Sequence, residues 1–180
     1  MNTALLLIDI QNDYFEAGAN PLVESLAASE EAAKILKVFR EKHLPVIHIQ
    51  HLATRPDATF FLPETKGAEI HPNVAPLAHE LVVKKHYPNS FRETDLLVHL
   101  KSLAIDELVI CGMMTHMCVD ATVRAAKDFG FSCTLIGDAC ATKFLEINGQ
   151  KVEAKAVHNS FLAALSYFYA KVINAEAYLN

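Results

Sequence analysis

The chain has 180 residues, of which 52% are hydrophobic and 21% are charged, a composition typical of a compact globular domain rather than a disordered chain. Its formal net charge of −5 and isoelectric point near 6.0 argue against a nucleic-acid partner, because polyanions bind basic surfaces. No apolar run approaches the roughly 20 residues of a membrane span, and no secretory leader is recognisable. We therefore expect one cytoplasmic domain over residues 1–180 that does not contact membranes.

The first half of the chain is predicted to alternate strand, helix and strand before a long loop. The apolar run over residues 3–10 predicts a strand, and apolar residues at helical spacing over 21–43 predict a surface helix. Residues 46–51 predict the second strand. Residues 52–76 contain four prolines and little periodicity, so we predict a loop. Loops of this length commonly form lids or pocket walls.

The second half continues the alternation. Strands are predicted over residues 80–85, 106–112 and 131–141, and helices over 94–103 and 151–169, with another helix after the fourth strand and a short sixth strand near the C-terminus. Thr94 is the predicted cap of the helix that it begins. Continuously apolar strands that alternate with helices are typical of α/β proteins. The predicted fold is a three-layer, doubly wound, Rossmann-like domain, whose six-stranded parallel sheet is covered by helices on both faces.

Cys118 differs from the other cysteines in its predicted position. Cys111, Cys133 and Cys140 lie in or next to apolar strands, where cysteine usually packs as a small apolar residue. Cys118 follows a strand that breaks at Gly112, and it lies in the first turns of the next helix. Without a secretory signal or a CxxC motif, we expect all four thiols to be reduced and free of structural zinc.

Two further reactive side chains are predicted near Cys118. Asp9 lies near the carboxyl end of the first predicted strand, and either Lys84 or Lys85 lies at the end of the third. Ligands of open parallel sheets bind beyond these strand ends. Strand alternation allows only one of the two lysines to face the site. The carboxylate can accept the thiol proton, while a lysine and the positive helix start should lower the thiol pKa. Free N–H groups around Met114 and Cys118 can bind an oxyanion.

Three segments together resemble the isochorismatase-like cysteine hydrolases, the superfamily that includes nicotinamidase. The segments are LLLIDIQNDYF (5–15), VVKKHYPNSF (82–91) and CGMMTHMCVDATVRAAKDFGFSCTLIGDACAT (111–142). They keep the family's order and spacing over nearly the whole chain. The resemblance implies a catalytic triad of Asp9, Lys85 and Cys118, in which Lys85 is the lysine six positions before Phe91.

The resemblance also implies how the site would work. It implies a non-proline cis peptide between Met113 and Met114, and an oxyanion hole formed by the N–H groups of Met114 and Cys118. Asp9 would accept the thiol proton and Lys85 would stabilise the thiolate. Cys118 would then attack a carbonyl and form a thioester. The expected activity is hydrolysis of a C–N bond in a small amide, carbamoyl or ureido compound.

Substrate contacts are predicted from residues near these motifs. The candidates are Gln11, Tyr14, Phe15, Phe60 and His116. Gln11 and Asp13 belong to the family's acidic motif that begins at Asp9. Phe60, with Phe61, either walls the pocket or anchors the long loop. His116 either contacts the substrate or lies on a helix surface or an interface.

The metal site of nicotinamidases is incomplete in this sequence. The resemblance implies a D-x-H pair after the second strand and a later histidine, but Ile49 stands where the aspartate would be. His48, His51 and His71 are the histidines of this region. His51 with His71 could still hold a metal, but the favoured interpretation is that these histidines belong to the loop or line the pocket. We expect neither a metal nor another cofactor.

Three other functions stay open at this stage. A vinyl-ether hydrolase of the isochorismatase type would do without a nucleophilic thiol, a non-catalytic scaffold would not need the intact triad, and a thiol redox protein would need a resolving cysteine near Cys118. The expected partner is a small-molecule substrate. The apolar segment 156–170 would form either core or a contact surface. Homodimers or homotetramers are the assemblies that the resemblance implies.

Overall fold

Strands and helices alternate along the computed structural model, which describes residues 2–180. The strands are β1 (Thr3–Ile8), β2 (Val46–His51), β3 (Leu81–Lys85), β4 (Glu107–Met113), β5 (Ser132–Ala141), β6 (Leu145–Ile147), β7 (Gln150–Val152) and β8 (Lys171–Ile173). The helices are α1 (Ser25–Glu41), α2 (Leu96–Ser102), α3 (Asp120–Asp128), α4 (Ala154–Phe168) and α5 (Ala175–Leu179). None of the helices described between residues 2 and 180 is both long and apolar enough to cross a membrane.

The main sheet has six strands in the order β3-β2-β1-β4-β5-β8, and every neighbouring pair is parallel. This confirms the predicted six-stranded parallel sheet. The strand order reverses at β1 and β4, which are paired up to Ile8 and Gly112. Ligands of open α/β sheets bind beyond the carboxyl ends of the strands at such a reversal. A functional site is therefore expected beside the segments that follow β1 and β4.

Two hydrophobic clusters cover the two faces of the sheet. Leu5 and Leu7 of β1 belong to the cluster that contains Phe39 of α1. The alternate residues Leu6 and Ile8 belong to the other cluster, which includes buried residues of α2, α3 and α4. Successive side chains of a strand point to opposite faces, so a continuously apolar strand needs cover on both sides. The helices supply that cover, and the predicted three-layer arrangement is confirmed.

The largest departure from the predicted elements precedes α4. The helix predicted over residues 151–169 begins at Ala154, because Gln150–Val152 pairs with Leu145–Ile147 as an antiparallel hairpin. Asn148 and Gly149, with φ of 53° and 72°, form its two-residue turn. An Asn-Gly pair is a strong hairpin signal because both turn positions need positive φ. Helical periodicity alone does not detect it.

Smaller differences concern element ends. The helix predicted over residues 21–43 spans Ser25–Glu41, after a left-handed Glu24 with φ of 59°. The cap position of α2 is Asp95 rather than Thr94, although the Thr94 hydroxyl accepts the Leu96 N–H at 3.4 Å. The predicted loop over 52–76 contains two short 3₁₀ turns. These differences leave the layers unchanged.

All four cysteines are free and buried. Cys111 lies in one hydrophobic cluster, and Cys133 and Cys140 lie in the other. The prediction of reduced thiols is confirmed, as is the packing of these three in the core. Cys118 is also buried, with 5% of its surface exposed, but its neighbours are polar as well as apolar.

Candidate active site

Asp9 lies directly after β1, where the chain leaves the sheet. Its backbone is left-handed, with φ of 51°, and its side chain is fully buried. Oδ2 accepts a hydrogen bond of 2.7 Å from Lys85 Nζ. The other carboxylate oxygen, Oδ1, is buried and has no hydrogen-bond partner among residues 2–180. A buried acceptor without a donor is costly, and this oxygen is the one available to accept a proton.

Lys85 is the last residue of β3, and its side chain is fully buried whereas Lys84 is exposed. Its ammonium group bonds to Asp9 Oδ2 at 2.7 Å, His51 Nδ1 at 3.0 Å and the Tyr87 carbonyl at 3.1 Å. These three acceptors match its three N–H donors. Burial is the largest single cause and acts to lower the pKa of Lys85, but the interactions with Asp9 and Cys118 together outweigh it and raise the pKa above its ordinary value. The side chain is therefore a buried cation paired with Asp9.

His51 is a further member of this cluster. The sequence suggested it as a loop or pocket-lining histidine or, together with His71, as a metal ligand. It ends β2, next to Lys85 in the register of the sheet. Burial lowers the pKa of His51 to about 4, with Lys85 acting in the same direction and Asp9 in the opposite one. The ring is therefore neutral near pH 7, and its Nδ1 accepts the bond from Lys85. Its place at the carboxyl end of a central strand was the available signal, because side chains there share one rim.

Gly112 and a π-helical turn bring Cys118 to the same rim. The turn spans Thr115–Val119, between β4 and α3, and the preceding peptide bond between Met113 and Met114 is cis. Gly112 has φ of 145°, and a Cβ atom there would lie 2.2 Å from the Ile8 carbonyl oxygen. Only glycine permits this approach of β4 to β1. Short π-helical turns occur frequently at functional sites.

The Cys118 thiol lies against Asp9 and His51. Its Sγ, a carboxylate oxygen of Asp9 and a ring nitrogen of His51 lie within 4.8 Å of one another. Burial, followed by the negative charge of Asp9, raises the pKa of Cys118 above its usual range, although Lys85 acts to lower it. The expected lowering of the thiol pKa is therefore wrong, because desolvation outweighs the effect of the lysine. The resting thiol keeps its proton, so a nucleophilic attack needs a base.

The predicted oxyanion donors are backbone N–H groups in and next to the π-helical turn. The Met114 carbonyl accepts the N–H of Met117 at 3.0 Å and the N–H of Val119 at 3.3 Å, which closes the π-helical turn. Met114 directly precedes this turn and Cys118 lies within it, so their N–H groups belong to the same short segment. They remain the candidates for stabilising negative charge on an attacked carbonyl oxygen.

Gln11 fixes the backbone of His51 through side-chain hydrogen bonds. Its Nε2 donates to the His51 carbonyl at 2.9 Å and to the Ala68 carbonyl at 2.8 Å. Its Oε1 accepts the His51 N–H at 2.8 Å. Both amide donors are therefore bound to backbone. The structure places this predicted pocket residue in the wall that holds His51.

Asp13 anchors the long loop. Its Oδ2 accepts the Phe61 N–H at 2.6 Å, and its Oδ1 accepts the Ala19 N–H at 3.1 Å. Gly67 packs against this carboxylate, since a Cβ atom there would lie 2.1 Å from Oδ1. The anchored segment is the one that brings Phe60 and Phe61 toward the site.

The predicted aromatic pocket residues divide into two groups. Tyr14 packs with Phe60 and Phe61, at ring-centroid distances of 5.8 Å and 4.5 Å. Burial, followed by the charges of Cys118 and Asp9, raises the pKa of Tyr14 well above its usual value, so its hydroxyl keeps its proton near the thiol. Phe15 instead stacks on His71, with ring centroids 3.6 Å apart. Tyr14, Phe60 and Phe61 therefore lie closest to the described cluster.

His116 is directed toward the other side of the π-helical turn. Its Nδ1 lies 2.6 Å from the Thr142 hydroxyl, and its ring contacts Phe161 of α4 edge-on at 6.0 Å. Neither contact belongs to the cluster around Cys118. The structure thus places His116 between β5 and α4.

The residues present do not fit a divalent metal. Asp9, His51 and Cys118 are the one group of three metal-ligating side chains that come together among residues 2–180. Lys85 already bonds to Asp9 and His51, so a metal ion in this group would face a buried ammonium. His71 is not part of the group.

Comparisons with known proteins agree with this architecture. The family model described as the isochorismatase domain matches residues 3–176. The isochorismatase family protein YddQ of Bacillus subtilis is 50% identical over 180 residues, which is 100% of both chains. A crystal structure of a candidate isochorismatase hydrolase from Oleispira antarctica is 52% identical, has a TM-score of 0.95, and covers 99% of this chain and 96% of its own. Nicotinamidase 3 of Arabidopsis thaliana is 25% identical over 186 residues, with 96% of this chain and 85% of that protein covered. This chain therefore belongs to the isochorismatase family of hydrolases.

Proposed function

We propose that the protein is a cysteine hydrolase that cleaves a C–N bond of a small amide, carbamoyl or ureido compound through a thioester on Cys118. The observation that carries the proposal is the unpartnered oxygen of Asp9. Oδ1 is a buried carboxylate oxygen with no donor, in a cluster where Sγ lies within 4.8 Å of the carboxylate. A thiol with a raised pKa needs such a base.

In the first half of the reaction, Asp9 accepts the thiol proton as Cys118 Sγ attacks the substrate carbonyl carbon. Lys85 stays bonded to Oδ2 and stabilises the negative charge of the sulfur as it forms. The N–H groups of Met114 and Cys118 bind the oxyanion of the tetrahedral intermediate. Asp9 then returns the proton to the departing nitrogen, the C–N bond breaks, and the acyl group remains on sulfur.

In the second half, water hydrolyses the thioester. Asp9 accepts a proton from the water as its oxygen attacks the acyl carbon, and the C–S bond breaks. The proton returns to the sulfur, which restores the thiol, and the acid product leaves. The net reaction consumes one water and releases an amine or ammonia with a carboxylic acid, or with a carbamic acid that decomposes when the substrate is a urea.

Two further observations support this function. Nicotinamidase 3, which is similar to this chain over most of its length, is by its name an amidase. A cavity of about 50 Å³ beside His51 leaves room for one end of a small substrate. A vinyl-ether hydrolase would not need the thiol, and a scaffold would gain nothing from an unpaired carboxylate oxygen.

The test is an ammonia-release screen over small amides, carbamoyl compounds and ureas. Wild type, Cys118→Ala and the matched control Cys133→Ala are compared, since Cys133 is a buried thiol away from the cluster. We expect at least one substrate that wild type and Cys133→Ala cleave and Cys118→Ala does not. Rapid acid quench and mass spectrometry should find the acyl group on the Cys118 peptide.

The alternatives give other results. Full activity of Cys118→Ala on that substrate would end the thioester mechanism. Cleavage of a vinyl ether by the alanine variant would favour the isochorismatase-type reaction. Absence of turnover in every class would favour the scaffold.

A further inference from the structure

A small cavity adjoins the catalytic cluster on the side of the long loop. It has a volume of about 50 Å³, and the side chains that line it include His51, Arg55, Phe60, Phe61 and His86. His51 is also hydrogen-bonded to Lys85, so one residue of the cavity wall belongs to the catalytic cluster. Since a water needs about 10–15 Å³ of such a cavity, its volume suits a group of a few atoms.

The loop that carries Arg55 is tied to the sheet. The Leu52 N–H donates to the Lys85 carbonyl at 2.9 Å, which extends the pairing of the strands. The Ala53 N–H donates to the Phe61 carbonyl at 2.9 Å and closes the loop on itself. Arg55 is thus presented at the cavity by backbone bonds, although its side chain is exposed.

The cavity is positively charged. No aspartate or glutamate lines it, and Arg55 forms no ion pair within 4.0 Å among residues 2–180. The nearest acidic residue in sequence, Asp57, is exposed and does not pair with it. Lys85, which bonds to His51, is paired with Asp9 and does not line the cavity. The Arg55 guanidinium at the cavity mouth is therefore free to bind an anion, although the formal net charge of the chain is −5.

We propose that this cavity is a carboxylate subsite, and that the substrate is a short acid that carries the amide, carbamoyl or ureido group. This inference rests on the proposed function, because it orients the substrate with its scissile carbonyl at Cys118. The Arg55 guanidinium binds the carboxylate with two parallel N–H donors. Phe60 and Phe61 pack against the short apolar chain between the two ends.

The first test needs no substrate. Iodoacetate and iodoacetamide both alkylate a thiol by displacement of iodide, and they differ in one negative charge. Their rates at Cys118 are measured by mass spectrometry between pH 7 and pH 9 in wild type, Arg55→Gln and Lys42→Gln. Lys42 is exposed at the end of α1, so its variant controls for the loss of one positive charge. We expect the iodoacetate-to-iodoacetamide ratio to fall about tenfold in Arg55→Gln and to stay unchanged in Lys42→Gln.

The second test uses turnover. Succinamic acid and butyramide are matched in chain length and differ in the terminal carboxylate. We expect wild type to prefer succinamic acid, and Arg55→Gln to raise KM for succinamic acid about tenfold while KM for butyramide is unchanged.

The outcomes separate the two proposals. An alkylation ratio that Arg55→Gln leaves unchanged overturns the subsite, as does an equal fall in Lys42→Gln or a Cys118 that neither reagent reaches. If wild type cleaves no amide but the alkylation ratio depends on Arg55, the proposed function fails and the anion subsite stands. If amides are cleaved without preference for a carboxylate, the proposed function stands and the subsite fails.

Discussion

The strands β2 and β3 carry a buried ionic cluster at each end, and the two clusters differ in how completely they are bonded. At the amino end of β3, Glu80 accepts two bonds of 2.8 Å from Arg40, one from the Leu77 N–H at 2.8 Å, and one from His48 Nε2 at 2.9 Å. Both of its oxygens are satisfied. At the carboxyl end, Asp9 has one oxygen bonded to Lys85 and one with no partner.

We interpret this difference as that between a structural ion cluster and the proposed catalytic one. Fully bonded buried charges stabilise a fold and have no capacity left for another partner. A carboxylate oxygen that is buried and unbonded destabilises the fold. Such a cost is expected where the oxygen has a function, such as accepting a proton. His48 Nδ1 also lacks a partner, but in a neutral ring that donates from Nε2 this atom is an uncharged acceptor.

Asp9→Asn gives the largest expected effect and tests the functional cluster. The amide keeps the shape of the side chain but cannot accept a proton from the thiol. We expect kcat/KM per folded molecule to fall about 10²- to 10⁴-fold, the usual range for removing a general base. The measurement is ammonia release from the substrate found in the screen, normalised to the folded fraction from circular dichroism. Retention of more than a tenth of the activity would contradict the role of Asp9.

Glu80→Gln tests the structural cluster. It removes a buried charge to which Arg40 and His48 bond, so the free energy of unfolding should fall by about 2–4 kcal/mol. We expect kcat/KM per folded molecule to change less than twofold, because no catalytic side chain contacts Glu80. Urea unfolding and the same activity assay measure the two quantities. A large loss of activity in the folded variant would remove the distinction between the clusters.

Glu80 and His51 should contribute to the pH dependence of stability over different pH ranges. Burial alone would raise the pKa of Glu80, but its bonds to Arg40, Leu77 and His48 lower it from 4.5 to about 2. Since the folded pKa is below the unfolded one, this contribution is present above pH 4.5 and is lost as the pH falls toward 2. It amounts to at most about 3 kcal/mol.

His51 acts at higher pH. Its folded pKa of about 4 is below its ordinary value of 6.5, so the unfolded chain binds the proton first. Stability should therefore fall as the pH drops from 6.5 to 4. Urea midpoints of wild type, His51→Gln and Glu80→Gln between pH 7 and pH 2.5 measure both windows. Burial also lowers the pKa of His48, which bonds to Glu80, so both clusters contribute to the upper window. His51→Gln should therefore flatten part of the upper window, and Glu80→Gln should flatten the lower one. A lower window that Glu80→Gln leaves unchanged would contradict this assignment.

Asp13→Asn gives the smallest expected effect. Asparagine has one carboxamide oxygen, so it can satisfy either the Phe61 N–H or the Ala19 N–H as a strong acceptor but not both as the carboxylate does. We expect a loss of about 1–2 kcal/mol in unfolding free energy, because one bond to a charged group is lost. KM should rise a few-fold with kcat unchanged, since the loop beside the cavity is loosened. An effect on kcat alone would place Asp13 in the chemistry instead.

Local patterns predicted the framework well. The apolar runs that became β1, β2, β4 and β5 needed cover on both faces, and that requirement implied helices on both sides of a parallel sheet. The same topology put the residues after β1, β3 and β4 on one rim, because parallel strands end at the same edge. The β6–β7 hairpin was missed, since helical periodicity was followed through an Asn-Gly turn.

The sequence by itself determined the sheet, its covered faces and the rim that holds Asp9, Cys118 and one of Lys84 and Lys85, because strand and helix periodicities depend on near neighbours in the chain. The resemblance to the isochorismatase-like hydrolases selected Lys85, and the structure buries that side chain while Lys84 is exposed. The tertiary structure decided how these groups behave. It raised the pKa of the Cys118 thiol instead of lowering it, joined a neutral His51 to Lys85, turned Gln11 to the backbone, and directed His116 to Thr142. Each outcome depends on burial and on partners from other strands and loops, so no stretch of sequence carries it alone.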